Sequence, residues 1–112
     1  MTQYSQGSMN VRPFNHWPAS VASGITYDSG IIESQGSNIS VWLATSAATV
    51  VHVIQYADYT GKVVVQDTQK QLVAGKLTNI VINDGNAFCA FKITITNSGA
   101  TPAVLSTAAI VQ

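Results

Sequence analysis

Hydrophobic and polar residues alternate along most of this chain after residue 23, in short segments that glycine-containing turns separate. Alternation with a period of two is the pattern of a β-strand with one buried face. The segments are also rich in β-branched and aromatic residues, which favour strands. The predicted strands are 24–34, 38–45, 49–57, 62–68, 77–83, 88–96 and 103–111. Helix signals are almost absent, and strands of this length and spacing predict an all-β fold, an antiparallel β-sandwich with jelly-roll-like topology.

The alternation also predicts which side chains are buried. The predicted core residues of two strands are Ile39, Val41, Leu43, Phe91, Ile93 and Ile95. Trp42 falls on the opposite face of its strand from this core set. Segment 49–57 is ambiguous, because Val51 and Val53 compete for the inner face with Val50, Ile54 and Tyr56. We therefore expect both faces of that strand to be covered.

Residues 1–23 show no alternation and contain Pro13 and Pro18, so they predict an extended N-terminal arm preceding a β-sandwich domain of residues 24–112. All the predicted core residues lie after residue 23. We therefore expect the sandwich to fold without the arm, and the arm to contact a neighbouring subunit. The candidate contact residues of the arm are Val11, Arg12, Phe14 and Trp17.

Charge is scarce, since 9% of residues are charged and the formal net charge is zero. This composition provides no basic patch for nucleic acid. Hydrophobic residues make up 46% of the chain, but no run reaches the roughly 20 apolar residues that a membrane span needs. The first residues lack the basic and apolar regions of a secretory signal. We expect a soluble protein, made in the cytoplasm, that binds neither nucleic acid nor membrane.

The residues that carry most enzyme chemistry are few and lack the spacing of a site. His52 lies in mid-strand among valines, and no histidine or cysteine pair has metal-ligand spacing. Cys89 has no base supplied by a motif, and Asp58 and Asp84 lie where turns use aspartate for backbone hydrogen bonds. The sequence therefore predicts a protein that is not an enzyme and that binds no metal or cofactor.

Three aromatic residues are the remaining functional candidates. Trp42 lies on the polar face of its strand, and Tyr56 and Tyr59 flank the following turn. They could form a sugar-stacking platform, or they could pack against another subunit. Aromatic side chains are enriched at protein interfaces, and few charges surround these three, so we favour the interface.

The segments "FKITITNSGATPAVLSTAAIV" (91–111) and "SNISVWLATSAATVVHVIQYADYTG" (37–61) resemble a group of bacteriophage virion β-sandwich domains. In that group an aromatic residue, a basic residue, alternating β-branched residues and Thr-Asn-x-Gly precede the last strand. The resemblance covers residues 25–112. This sequence departs from the family at the corner that reads Gln-Ser-x-Asp-Gly, where it has Tyr56 for the serine and Tyr59-Thr60 before the glycine.

The resemblance implies a non-enzymatic virion structural protein, assembled in the host cytoplasm. Its partners would be the major capsid protein or other virion subunits, and the favoured role is a capsid cement or decoration protein that binds the shell as a homotrimer. The alternatives are a tail or head-fibre subunit and a carbohydrate-binding or host-adhesion module. The uncharged last strand, 103–111, is expected to be an unprotected edge that pairs with another chain.

Overall fold

A computed structural model describes residues 11–12, 17–34, 38–83, 85 and 87–112, and for residues 11–12 it describes the backbone alone. The regular structure in these ranges is entirely β-strand. The strands are β1 (Val11–Arg12), β2 (Ser20–Val21), β3 (Thr26–Asp28), β4 (Ile32–Glu33), β5 (Ile39–Thr45), β6 (Thr49–Tyr56), β7 (Val64–Leu72), β8 (Thr78–Ile82), β9 (Ala90–Thr96) and β10 (Ala103–Val111).

The strands form two antiparallel sheets that pack against each other. Sheet I has the order β1-β10-β5-β8, with β2 also paired to β10, and sheet II has the order β3-β9-β6-β7, with β4 also paired to β9. Strands β1 and β2 both pair with β10, and strands β3 and β4 both pair with β9. Each of these two pairs therefore acts as one interrupted strand. The chain crosses between the sheets at every later connection except the β6–β7 hairpin. This is a jelly-roll arrangement, and the predicted fold class is confirmed.

The core lies between the sheets and consists of the inward-facing residues of the long strands. The predicted core residues of β5 and β9 are confirmed, since each has no exposed surface. The ambiguity in β6 is resolved in favour of Val51 and Val53, which are fully buried, whereas His52 and Ile54 are half-buried on the outer face. The remaining large members of the core cluster are Val21, Leu72, Ile80, Ile82 and Ile110.

The last strand does not have the open edge that the sequence predicts. Strand β1 pairs with its end, where Val11 lies opposite Val111, and β2 pairs with its start, where Val21 lies opposite Ala103. Between these points the N–H of Leu105 donates to the carbonyl oxygen of Ala19 at 3.0 Å. The N-terminal segment of the same chain therefore occupies this edge of β10, and the prediction of an unprotected terminal strand is wrong.

The described N-terminal strands, β1 and β2, are part of sheet I. Val21 is 2% exposed and belongs to the core cluster, so the expectation that every core residue lies after residue 23 is wrong. Trp17 is half-buried and packs against the same cluster. The segment from Trp17 to Val21 thus contributes apolar contacts to the sandwich itself.

The side chain of Asn97 fastens β2 to the turn that precedes β10. Asn97 is fully buried, and its Nδ2 donates to the carbonyl oxygens of Val21 at 2.9 Å and Thr101 at 2.8 Å. Its Oδ1 accepts a hydrogen bond from the N–H of Gly99 at 3.0 Å. A buried amide is stable only when its polar atoms have partners, and Asn97 finds them in three backbone groups. This side chain therefore holds the segment 17–21 against the sandwich.

Two truncations test whether this segment belongs to the folded domain. We expect removal of residues 1–23 to lower the free energy of unfolding well below that of a chain lacking only residues 1–16. The longer deletion removes the buried Val21 side chain, worth about 2 kcal/mol, and leaves Asn97 without one acceptor, at a cost of about 1–3 kcal/mol. Urea denaturation followed by circular dichroism measures both chains. Equal midpoints for the two truncations would show that residues 17–23 are dispensable.

Candidate interaction surface

The charged residues of the strands are distributed unequally between the two sheets. Strands β2, β5, β8 and β10 of sheet I contain no Asp, Glu, Lys or Arg, and β1 adds Arg12, whose side chain lies outside the described structure. The strand residues of sheet II that carry charge are Asp28, Glu33, Asp67, Lys70 and Lys92. One broad side of the sandwich is therefore charge-free across its four fully described strands.

The outer surface of sheet I is the side of each strand that faces away from the core. We give the name neutral face to its central part, which consists of Ser40, Trp42, Ala44, Asn79, Val81, Thr107 and Ala109. The register places Trp42 opposite Ala109 of β10 on one side and opposite Asn79 of β8 on the other. Because β5 is an inner strand, the half-buried Trp42 lies centrally on this face, between neighbours with shorter side chains.

Strand β8 forms the open border of the neutral face. It pairs with β5 on one side, and no described strand pairs with its other side. Its exposed apolar side chains are Val81, at 60% exposure, and the preceding Leu77, at 54%. Between β8 and the neighbouring border strand β7 lies a shallow cleft of about 330 Å³ that is lined by Gln66, Thr68, Val81, Ile82 and Asn83. The uncovered, uncharged edge of sheet I is therefore β8, whereas the sequence pointed to β10.

The outer surface of sheet II has a different character, because polar and charged side chains contact one another across its strands. The Nζ of Lys92 lies 3.2 Å from Oδ2 of Asp28, and Nδ1 of His52 lies 2.8 Å from Oδ1 of Asp67. Burial lowers the pKa of Lys92, but the hydrogen bonds and charges of Asp28 and Tyr56 outweigh this effect and raise the pKa overall. These contacts join neighbouring strands of sheet II, so the four side chains serve the structure.

The aromatic residues predicted as one site are not brought together. Trp42 lies on the neutral face of sheet I, whereas Tyr56 belongs to β6 of sheet II and is 4% exposed. Tyr59 lies in the β6–β7 turn and is 63% exposed. A sugar platform made from all three rings is therefore wrong, because one ring is buried and the other two lie in different parts of the sandwich. Trp42 alone remains part of a candidate surface.

The predicted contact residues of the arm are only partly described. Val11 and Arg12 form β1 against the end of β10, with side chains outside the described structure, and Phe14 lies outside the described residues altogether. Trp17 packs against the core cluster of its own chain. Sequence reasoning missed Asn79 and Val81, because their place at an open border depends on the order of the strands.

The residues considered as catalytic or metal-binding candidates do not form a site in the described structure. Asp58 accepts hydrogen bonds from the Thr60 hydroxyl, from the N–H of Val63 at 3.0 Å and from the N–H of Lys62 at 3.1 Å. The hydrogen bonds from Thr60 and Val63 are the main reason that the pKa of this carboxyl is lowered. Asp84 lies outside the described residues, and Cys89 is half-buried with a free thiol. No group of three or more His, Cys, Asp or Glu side chains that could hold a metal occurs in the described part of the chain.

Comparison with known proteins supports the fold. No family model and no curated protein sequence matches this chain. The chain is similar in structure to PirA, whose crystal structure has been solved. The TM-score is 0.53 and the sequence identity is 12%. The match covers 96% of this chain and 94% of PirA. At this identity the likeness shows a shared architecture over nearly the full length of both chains. Separately, no helix in the described ranges is long and apolar enough to cross a membrane.

The turn role of Asp58 predicts a specific pH dependence. Because its pKa is lowered in the folded state, the carboxylate stabilises the fold at pH values above its unfolded value, near 3.8, and this contribution is lost as the pH falls through the folded pKa. We expect Asp58→Asn to be less stable than the wild type at pH 6, with the difference disappearing in strong acid. Urea titrations from pH 6 to pH 2 measure this. An NMR titration that places the Asp58 pKa at or above 3.8 would contradict the assignment.

Proposed function

We propose that this protein is a non-enzymatic structural subunit that attaches to other protein subunits through the neutral face of sheet I. The observation that carries the proposal is the unequal distribution of charge between the two sheets. A surface without charged groups can be buried in an interface without leaving an unpaired ion behind, and such depletion is typical of interface cores. Trp42 at its centre provides the large aromatic area on which protein interfaces commonly depend.

The assembly that we propose is a bacteriophage virion, on the basis of the family resemblance over residues 25–112. Within that setting the protein acts as a capsid cement or decoration protein, and its partner is the major capsid protein or another virion subunit. An oligomer presents several copies of the neutral face to a repeating shell, so attachment at several points multiplies weak individual contacts. The resemblance implies a trimer for this oligomer.

The described side chains also favour a structural role over a catalytic one. His52 contacts Asp67 and Lys92 contacts Asp28, each across two strands of sheet II, and Asp58 accepts hydrogen bonds within its own turn. A catalytic site requires several such groups to converge on one cleft. In contrast, the cleft between β7 and β8 is lined by neutral side chains.

A carbohydrate-binding function is the second candidate, and one observation favours it. Trp42 shares the neutral face with the hydroxyl groups of Ser40 and Thr107 and with the amide of Asn79. An aromatic ring beside neutral hydrogen-bonding groups is suited to a sugar as well as to a protein surface. The half-buried position of Trp42 leaves only part of its ring available for stacking.

Replacement of Trp42 distinguishes these functions. We expect Trp42→Ala to weaken binding to virus particles assembled without this protein by roughly 30-fold, the size of a central interface contact of about 2 kcal/mol. Tyr59→Ala is the matched control, because it removes an aromatic ring that lies away from the neutral face. We expect it to bind like the wild type. Co-sedimentation with the particles over a range of protein concentrations measures both variants.

Two results would change the conclusion. Particle binding that is equal for Trp42→Ala and the wild type would contradict attachment through the neutral face. Glycan-array binding by the wild type that is lost in Trp42→Ala would instead support the carbohydrate-binding function. Circular dichroism of each variant confirms that the sandwich remains folded.

A further inference from the structure

The open edge of β8 has the chemistry of a strand that pairs with another strand. An edge strand presents a row of backbone N–H and C=O groups on its unpaired side, and these groups are satisfied by adding a strand. We propose that β8 pairs with β8 of a second copy of this chain, antiparallel and across a two-fold axis, so that sheet I continues through both subunits. The pairing concerns self-association and does not depend on attachment of the neutral face to other proteins.

The other borders of the described sheets are formed by strands that are very short or carry charge. The outer side of β10 is occupied by β1, by β2 and by the hydrogen bond from Leu105 to Ala19. The outer side of β9 is occupied by β3 and β4. Strand β7 carries the exposed charges of Asp67 and Lys70, and charged side chains on an edge oppose pairing with another chain. The outermost strand β2 is also uncharged, but it has only two residues, and a very short edge offers little to pair with. Among the described strands of three or more residues, β8 alone combines an uncovered side with an uncharged sequence.

The sequence of β8 also suits pairing with an identical strand. In a two-fold antiparallel pair, the two strands have the same sequence, so a charged strand can bring like charges opposite each other. Strand β8 avoids this repulsion because it has no charged residue. If Asn79 lies opposite Asn79 of the second copy, then Leu77 lies opposite Val81 of that copy, and the symmetry repeats this contact. These two side chains are the exposed apolar groups at this border. The register therefore covers four apolar side chains in one interface.

Neighbouring registers place less compatible residues of the two β8 strands opposite each other. A shift of one residue would turn the inward-facing Ile80 and Ile82 towards the outer face of the second copy's strand. A shift of two residues would place Asn79 opposite Val81 and Leu77 opposite Asn83, so both apolar pairs would be lost. The register with Asn79 at the axis is the one that we propose.

The pairing has a consequence for symmetry. Both copies contribute the same surface, so the interface is isologous and the assembly closes as a dimer. A dimer would take the place of the trimer that the resemblance implies. The protein would then present two neutral faces on one continuous sheet, since β8 borders that face in each copy.

Disulfide trapping tests the register directly. In a chain carrying Cys89→Ala, which removes the single native cysteine, we expect Asn79→Cys to form a covalent dimer on mild oxidation. Directly opposed residues of antiparallel strands have Cα atoms about 4.5–5.5 Å apart, which is within disulfide range. Val104→Cys is the control, because it also places an exposed thiol on sheet I but lies in β10, paired with β2. We expect it to remain monomeric on a denaturing gel.

A charge introduced at the edge tests the pairing without cysteine chemistry. We expect light scattering at tens of micromolar, roughly the range of a stable homodimer, to show a dimer for the wild type and a monomer for Val81→Lys. Val104→Lys introduces the same charge at another exposed valine and should remain a dimer. A wild-type monomer, a wild-type trimer, or equal cross-linking of the two cysteine variants would overturn the proposal. Particle binding by Trp42→Ala is measured separately, so failure of the pairing and failure of the proposed function are distinguishable.

Discussion

The hydrogen bonds that the N-terminal segment makes along β10 determine which edge of sheet I is closed. The last strand is long and uncharged, so its outer side would be an aggregation-prone edge if it were left open. The chain covers this side with β1, Ala19 and β2, and the buried Asn97 side chain fastens the carbonyl of Val21 in place. With this side covered, the uncharged long strand that remains open in the same sheet is β8, at the opposite border.

The distribution of charge follows the same division of the molecule. In sheet II, the ion pair of Lys92 with Asp28 and the hydrogen bond between His52 and Asp67 join adjacent strands and keep that outer surface polar. Sheet I instead presents Trp42 among small neutral residues. Interface cores are depleted of charged residues, so the uncharged strands of sheet I are better suited to burial against another protein than those of sheet II. Assembly through sheet I is the function that this asymmetry supports.

Local patterns in the sequence predicted the core well and the borders of the sheets poorly. Alternation placed Val41 and Phe91 inside because the period of two is a property of each strand by itself. Val21 was missed, because a two-residue strand is too short to show a period and its partner lies some eighty residues later. Tyr56 was placed in a surface site, but the register shift between Gln55 and Tyr56 interrupts the alternation, and Tyr56 is buried. The open edge of β8 was missed for a similar reason, since strand order depends on contacts distant in sequence.

The chain closes the edge of β10 itself, and we propose that the open edge of β8 pairs with another molecule. Hydrogen exchange of the backbone amides, measured by NMR at a low and a high protein concentration, tests both halves of this claim at once. We expect the amides of β10, including that of Leu105, to be protected equally at both concentrations. Protection in β8 should increase at the high concentration. Fast exchange in β10 at low concentration would contradict closure of this edge by its own chain. Protection that increases with concentration in β10 but not in β8 would contradict pairing through β8.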